Sequence, residues 1–168
     1  MNAGAPLLRP WRDADVPALQ QWRNDVALQA QLLARARGSD EGAVRRWLAE
    51  RSAGPKSLLL VIADVTSDAP LGYLQIVDID AEDRRGELGI CLAPQAQGRG
   101  LGTAAVRLAL EHARSEAGLR KINLRVRSDN ARAIRCYERL GFVRCGVWRE
   151  HVFIEGGWRD VVLMEIFL

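Results

Sequence analysis

Residues 87–110 read ELGICLAPQAQGRGLGTAAVRLAL, and this stretch decides the fold. The apolar run at residues 87–92 has the length of a strand, a turn rich in glycine follows it, and a long amphipathic segment comes next. In that segment apolar or small residues recur at steps of three and four, which predicts a helix with one buried face. The face comprises Thr103, Val106, Ala109, Leu110, Ala113 and Ala117.

The glycine turn at residues 97–103 is a predicted anion site. The first N–H groups of a helix have no partner within the helix, and the helix dipole places partial positive charge there. Gly98, Gly100 and Gly102 lack the Cβ atoms that would hold a ligand away from these groups. With Arg99 as a further cation, the turn suits a polyanion such as a pyrophosphate.

Three known anion-binding loops can be compared with this turn. A Walker A loop ends in Gly-Lys-Ser/Thr, a tripeptide that is missing here. A Rossmann fingerprint has a third glycine three positions after the second, where this chain has Thr103. The remaining pattern, Gln97-x-x-Gly100-x-Gly102, resembles the pyrophosphate-binding loop of the GNAT N-acetyltransferase superfamily.

Composition predicts one domain over residues 1–168. A chain of 168 residues, 48% of them hydrophobic, is long enough for one sizeable core. Its net charge of +3 comes from interspersed charges of both signs, so no nucleic-acid partner is expected. The three cysteines and two histidines lack the spacing of a disulfide framework or a metal site, so no metal is expected. Without a signal-peptide core or an apolar run of ~18 residues, a cytoplasmic protein with no membrane partner is expected.

Periodicity along the rest of the chain predicts the order β-α-α-β-β-β-α-β-α-β-β. This order is a mixed central sheet with helices on both faces, in the α/β (α+β) class. Asp13 or Asp15 is expected to cap the first helix, whose buried face would include Leu19, Trp22 and Val26. The expected strands cover residues 7–9, 58–63, 71–80, 87–92, 121–126, 143–154 and 158–167.

Residues 130–142, NARAIRCYERLGF, carry a second motif. They resemble the GNAT segment Asn-x-x-Ala-x-x-x-Tyr-x-x-x-Gly-Phe that follows the fifth strand. Both ends of the chain, at residues 8–25 and 146–164, are similar to the RimJ/RimL-type branch of that superfamily. The resemblance covers almost the whole chain.

The resemblance implies the GNAT fold, in which the fourth and fifth strands splay apart. Acetyl-CoA would enter the splay from one side and the acceptor amine from the other. The backbone of Ile90, Cys91 and Leu92 would pair with the pantetheine arm as an added strand does. The cofactor would also be held by Gln97, Gly98, Arg99, Gly100, Leu101, Gly102, Thr103, Asn130 and Ala133.

Tyr137 is the candidate general acid for the departing thiolate. It lies two helical turns after Asn130 on the same predicted face. A phenol of pKa ~10 is protonated at neutral pH and can protonate a thiolate whose thiol has a pKa of ~8.5. The alternative is a core tyrosine that packs beside Ile134 and Leu140.

Glu87 is the candidate base, acting directly or through water. Its alternative is a structural carboxylate paired with Arg84 or Arg85. Cys91 and Cys136 raise the question of an acyl-cysteine intermediate, but no histidine is near either in sequence to activate a thiolate. Direct transfer in a ternary complex is therefore expected.

The expected acceptor is a primary amine, either a protein N-terminus or a small molecule. Deprotonating an α-amino group of pKa ~8 at pH 7 costs about 1.4 kcal/mol, against roughly 4.6 kcal/mol for an alkyl amine of pKa ~10.4. Polyamines, aminoglycosides and amino sugars are the alternative acceptors. A group of acidic residues either attracts a cationic amine or forms a solvated turn: Asp78, Asp80, Glu82 and Asp83. A different class of function is an acyl-CoA-binding module without turnover. The closing hairpin, with Val152, Phe153 and Ile154, can build a homodimer.

Overall fold

A computed structural model describes residues 6–168 as a seven-stranded sheet with five α-helices. Residues 1–5 lie outside the described residues. The predictions of a single domain over residues 1–168 and of an N-terminus without a signal peptide both include them. The strands are β1 (Leu7–Arg9), β2 (Leu58–Ala63), β3 (Pro70–Asp80), β4 (Arg85–Leu92), β5 (Lys121–Arg127), β6 (Val143–Ile154) and β7 (Gly157–Phe167). The helices are α1 (Val16–Asn24), α2 (Val26–Gln31), α3 (Glu41–Ser52), α4 (Leu101–Ser115) and α5 (Ala131–Arg139).

The sheet has the strand order β1-β2-β3-β4-β5-β7-β6. Neighbouring strands are antiparallel except for β4 and β5, which are parallel and are joined through α4. The predicted mixed sheet is confirmed, and its strands lie within two residues of the predicted bounds.

The first helical segment differs from its prediction. Asp25 has an extended backbone, and its carboxylate accepts the N–H of Leu28 at 2.9 Å, so it ends α1 and caps a separate helix α2. Val26 consequently leaves the buried face and is 72% exposed. Ala117 lies beyond the end of α4 and is also exposed, so it does not belong to the buried face of that helix.

Helices pack on both faces of the sheet. Helices α4 and α5 share one core with alternate residues of the central strands, and α1, α2 and α3 share a second core on the opposite face. The first core includes Val106, Ala109, Ile134, Leu88, Ile122 and Leu124, and the second includes Leu19, Trp22, Leu48, Tyr73 and Cys91. Because successive strand residues point to opposite faces, the two cores lie on either side of the same strands.

Strands β4 and β5 are paired only at one end. Their register covers Arg85 with Lys121, Gly86 with Ile122 and Glu87 with Asn123, and it extends no further within residues 6–168. Beyond this point residues 88–92 and 124–127 diverge and form a fork in the sheet. The splayed fourth and fifth strands of the prediction are therefore present.

Candidate active site

The glycine turn between β4 and α4 has a left-handed backbone at two of its glycines. Gly98 has φ +74° and Gly100, the N-cap of α4, has φ +78°. A Cβ atom built on either residue would meet no atom of residues 6–168 within 4 Å, so the space beside both is open in the described part of the chain. The start of α4 is therefore accessible, as an anion site requires.

Gly102 also serves the packing of the turn. A Cβ atom there would lie 3.1 Å from Cδ1 of Leu92, so this glycine lets α4 pack closely on β4. Its part in ligand access, expected together with that of Gly98 and Gly100, stays a prediction.

Two contacts hold the turn against its neighbours. Nε2 of Gln97 donates to the carbonyl of Leu92 at 3.0 Å, and Oε1 of Gln97 accepts a hydrogen bond from Arg132 on α5. Farther along, Oγ1 of Thr103 lies 3.0 Å from Sγ of Cys136. The turn, the end of β4 and helix α5 are thus fixed relative to one another.

A cavity of about 630 Å³ runs along the turn and through the fork. Most of the predicted site residues line it: Glu87, Ile90, Cys91, Leu92, Gln97, Gly98, Gly100, Gly102, Thr103, Asn130, Ala133 and Tyr137. Arg99 and Leu101 do not. Arg99 is exposed outside the cavity, and Leu101 is buried in the core beneath α1 and α3.

The fork divides the cavity into two sides that follow the two faces of the sheet. Thr103, Val106, Ala133, Cys136 and Tyr137 line it from α4 and α5. Residues that line it from α2, α3 and the opposite strand face include Leu28, Arg51, Gln75, Glu87 and Arg125. This placement follows from strand alternation. Leu88 points to the core beneath α4 and α5, so its neighbours Glu87 and Gly89 point to the opposite face. Gln75 and Val77 pair with Gly89 and Glu87, so they share that opposite face. We call these the α4–α5 side and the α1–α3 side.

Tyr137 lies on the α4–α5 side and is half-buried. Its ring makes an edge-on contact with Phe142, with 5.7 Å between the ring centres. Burial raises the pKa of the phenol above its ordinary value, so the hydroxyl stays protonated throughout the neutral range. Asn130 caps α5 by accepting the N–H of Ala133 at 3.1 Å, and this cap fixes the start of the helix that carries Tyr137.

Glu87 lies where β4 and β5 separate, and its partner is Arg125. Nε and Nη2 of Arg125 lie 2.8 Å and 2.7 Å from Oε1 of Glu87. The alternative pairing with Arg84 or Arg85 is wrong, because Arg84 donates to the carbonyl of Gly118 and Arg85 pairs with Asp80 and Asp83. Arg125 could be placed on the polar face of β5 from sequence, but its contact with Glu87 requires knowing that β4 and β5 are neighbours.

Two cysteines, Cys91 and Cys136, line the cavity. Cys91 is buried beside Tyr73, and burial raises the pKa of its thiol to about 12. Cys136 contacts the hydroxyl of Thr103. Neither residue is recorded in contact with a histidine among residues 6–168, and the histidine that lines the cavity, His151, packs on Trp148 at 4.4 Å between ring centres.

The acidic residues at the end of β3 and in the turn after it fall into two groups. Asp80 accepts the N–H groups of Glu82 and Asp83 at 3.0 Å and 2.9 Å, and these bonds lower its pKa. Residues 80–83 therefore form a turn, and only Asp78 of this run lines the cavity. The same cavity contains Arg51, Gln75 and His151, which the sequence analysis did not select, because their places depend on how distant elements pack.

Residues 7–143 match a family model described as an acetyltransferase (GNAT) domain. This range is more than half of the chain. The chain belongs to the GNAT acetyltransferase family. The predicted superfamily is confirmed, and the RimJ/RimL-type branch stays a prediction.

This GNAT chain is similar in part to acetyltransferases with different acceptors. It is 36% identical to spermidine N(1)-acetyltransferase of Escherichia coli (strain K12) over 96 residues, which are 57% of this chain and 52% of that protein. It is 47% identical to mycothiol acetyltransferase of Corynebacterium jeikeium over 64 residues, which are 38% of this chain and 18% of that protein. The chain thus spans about half, or less, of the length of these curated relatives.

A solved structure supports the GNAT fold over almost the entire chain. The crystal structure of spermidine N-acetyltransferase from Vibrio cholerae, in complex with CoA and spermine, superposes with a TM-score of 0.90. The superposition covers 96% of this chain and 95% of that chain, at 24% identity. The predicted fold is confirmed by this likeness. Among residues 6–168 no helix combines the length and apolar character needed to cross a bilayer.

Proposed function

We propose that this GNAT chain transfers the acetyl group of acetyl-CoA to a primary amine by direct attack in a ternary complex. The observation that carries the proposal is the cavity through the β4–β5 fork, with an open glycine turn on one side and the Glu87–Arg125 pair on the other. GNAT acetyltransferases use acetyl-CoA. A polar cleft open from both faces of a sheet lets a donor and an acceptor meet within it.

The residues of the α4–α5 side fit the donor. Gly98 and Gly100 leave open space beside the start of α4, where the pyrophosphate would accept backbone N–H groups. Ile90, Cys91 and Leu92 have no strand beside them on the fork side, so their backbone groups can pair with the pantetheine arm. Gln97, Thr103, Asn130 and Ala133 would complete this side. Arg99 and Leu101 would contribute through the backbone of the turn.

Tyr137 would protonate the sulfur as the tetrahedral intermediate collapses. The amine attacks the thioester carbonyl, the C–S bond breaks, and the phenol gives its proton to the departing thiolate. Burial that raises the pKa of the phenol penalises the thiolate as well, because both anions lose solvation. The proton transfer therefore remains feasible although the phenol is a weaker acid than usual.

Glu87 would accept the proton of the attacking amine, directly or through water. Arg125 contacts Oε1, and no contact to Oε2 is recorded within residues 6–168. The second oxygen can therefore face the amine. The ion pair also fixes the carboxylate at the point where the two strands separate.

The experiment that tests this function measures free thiol released from acetyl-CoA with a panel of amines. The panel includes an N-terminal peptide, spermidine, an aminoglycoside and an amino sugar, and an assay without amine is the control. Amine-dependent release supports acetyl transfer. Binding of CoA without release from any amine favours the alternative, an acyl-CoA-binding module.

The proposed acceptor is a primary amine, and two observations favour different kinds of amine. The N-terminal and C-terminal segments resemble the RimJ/RimL-type branch and favour a protein N-terminus. The relatives named for spermidine favour a polyamine, but they share only about half of their length with this chain. We further propose that residues 1–168 act as one domain and that the protein forms a homodimer.

The homodimer would form along β6, the edge strand of the sheet. Val143, Val147 and Phe153 are exposed on this strand, and an exposed apolar edge is a template for pairing with another chain. Phe153 is one of the three residues of the closing hairpin that were expected to build the dimer. Ile154 does not contribute, because its side chain is buried.

A further inference from the structure

Two arginines line the α1–α3 side of the cavity, Arg51 and the Arg125 that pairs with Glu87. Arg51, in the last turn of α3, lines the cavity and forms no ion pair with any of residues 6–168. Behind it, the guanidinium carbon of Arg23 lies 4.3 Å from the ring centre of Trp47. Desolvation lowers the pKa of Arg23, Tyr73 partly offsets this effect, and the charge of Arg51 lowers the pKa further. The guanidinium of Arg51 is thus available to a ligand in the cavity.

Two buried polar atoms, one on Arg23 and one on Gln75, also lack hydrogen-bond partners within the described residues. Nε of Arg23 is buried and makes no hydrogen bond within the described part of the chain. Oε1 of Gln75, which lines the cavity, is buried and unpartnered in the same way. A buried polar group without a partner is costly, and a bound ligand can supply the missing contact. Gln75 pairs with Gly89, two residues from Glu87 and on the same face of the sheet, so its free oxygen lies on the side of the proposed base.

Two carboxylates, Glu87 and Asp78, line this side of the cavity. Glu87 is already paired with Arg125. Asp78 is exposed and is the other carboxylate recorded on the lining. The guanidinium of Arg51 would repel a polycation such as spermidine, whereas it would offer an anion hydrogen-bond donors and positive charge.

We propose that the acceptor is an amine that also carries an anionic group, a carboxylate or a phosphate, which contacts Arg51. This inference rests on the proposed acetyl transfer and names its substrate class. The amine lies near Glu87 and the free oxygen of Gln75, and the anion extends toward α3. Guanidinium forms paired hydrogen bonds with either type of anion, so the two sources share one recognition chemistry.

Matched acceptors that differ only in the anion test this assignment. Amino acids are compared with their amides, and glucosamine 6-phosphate with glucosamine, with spermidine alongside. We expect at least about a tenfold lower KM for the anionic member of the preferred pair, as for one charge-assisted hydrogen bond. The pair that shows the difference identifies carboxylate or phosphate as the source.

Arg51→Gln should remove this discrimination by raising KM for the anionic acceptor, with little change in KM for acetyl-CoA or for neutral amines. Arg46→Gln is the matched control, because Arg46 is on the same helix, exposed and outside the cavity. The inference would be overturned if Arg51→Gln kept the full difference in KM between anionic and neutral acceptors. It would also be overturned if the unmodified protein had a lower KM for spermidine and the neutral amines. Either result would leave the proposed acetyl transfer intact. Thiol release from no acceptor would contradict the proposed transfer, and this inference with it.

Discussion

The two tyrosines of this chain, Tyr137 and Tyr73, provide a matched test of the chemistry. Tyr137 lines the cavity and Tyr73 is buried beneath α3. We expect Tyr137→Phe to lower kcat by ~10²–10⁴, because the leaving thiolate loses its proton donor. Affinity for CoA should be nearly unchanged, since the ring and its contact with Phe142 remain. Steady-state kinetics and calorimetric titration with CoA measure the two quantities.

Tyr73→Phe should leave kcat close to that of the unmodified protein. It also removes one buried hydroxyl, so it controls for a general loss of packing. An unchanged rate in Tyr137→Phe would remove this residue from the proton transfer.

Cysteine chemistry gives a second test at this scale. Because burial raises the pKa of Cys91 to about 12, its thiol is neutral between pH 7 and pH 9 and little thiolate forms. Cys145 is exposed. With iodoacetamide at pH 8, mass spectrometry should detect modification of Cys145 well before Cys91. Equal labelling of both would contradict the buried, inert setting of Cys91 and reopen the acyl-cysteine route.

The ion pair of Arg9 and Asp15 gives a prediction for stability. Asp15 is 2% exposed, and its oxygens accept from Arg9 at 2.8 Å and 3.0 Å. Asp15→Asn should lower the free energy of unfolding by about 3 kcal/mol, because the buried guanidinium of Arg9 loses its buried carboxylate partner and keeps only the partly exposed Asp68. Urea unfolding measures the change. Asp13→Asn is the control: its pair with Arg45 is exposed, and the unfolding midpoint should not move.

At the scale of elements, the turn before α4 can be tested with two glycines of similar backbone. Gly100 has φ +78° and Gly118, in the connection between α4 and β5, has φ +62°. Valine at either position adopts a strained left-handed backbone, which costs roughly 1–3 kcal/mol. Gly100→Val should in addition weaken CoA binding at least 100-fold, because its side chain enters the space beside the N–H groups of α4.

Gly118→Val should bind CoA normally despite a similar loss of stability, which separates strain from obstruction. Gly100→Ala, with a smaller side chain, provides a folded variant if the valine variant does not fold. Normal CoA affinity in both Gly100 variants would contradict the assignment of the turn to the pyrophosphate.

Local features of the fold could be predicted from sequence, and contacts between distant elements could not. The turn at residues 97–103 and the helix that follows it depend on neighbouring residues, and the structure has both where they were expected. The Glu87–Arg125 and Arg9–Asp15 pairs depend on strand neighbours and on packing, which periodicity does not contain. Asp15 was accordingly assigned to a helix cap. The break at Asp25 was missed because the apolar steps continue to Val26 across the cap.

At the scale of the whole molecule, the exposed face of β6 tests the proposed homodimer. Val147→Lys places a charge on the edge strand and should convert a dimer to a monomer, because like charges would meet across a symmetric contact. Val65→Lys is the control, since Val65 is similarly exposed in the turn between β2 and β3. Light scattering after size exclusion measures the mass. A monomeric unmodified protein at all concentrations would contradict the proposal.

We expect the fork between β4 and β5 also to link the stability of the protein to binding of the coenzyme. Within the described part of the chain, residues 88–92 have no strand neighbour on the side of the fork, in the middle of the sheet. If the pantetheine arm occupies that edge, amide hydrogen exchange in these residues should slow severalfold on addition of coenzyme. Coenzyme at a hundred times its dissociation constant would add about 2.7 kcal/mol to the folded state. Resistance to proteolysis would then rise and fall with the supply of coenzyme.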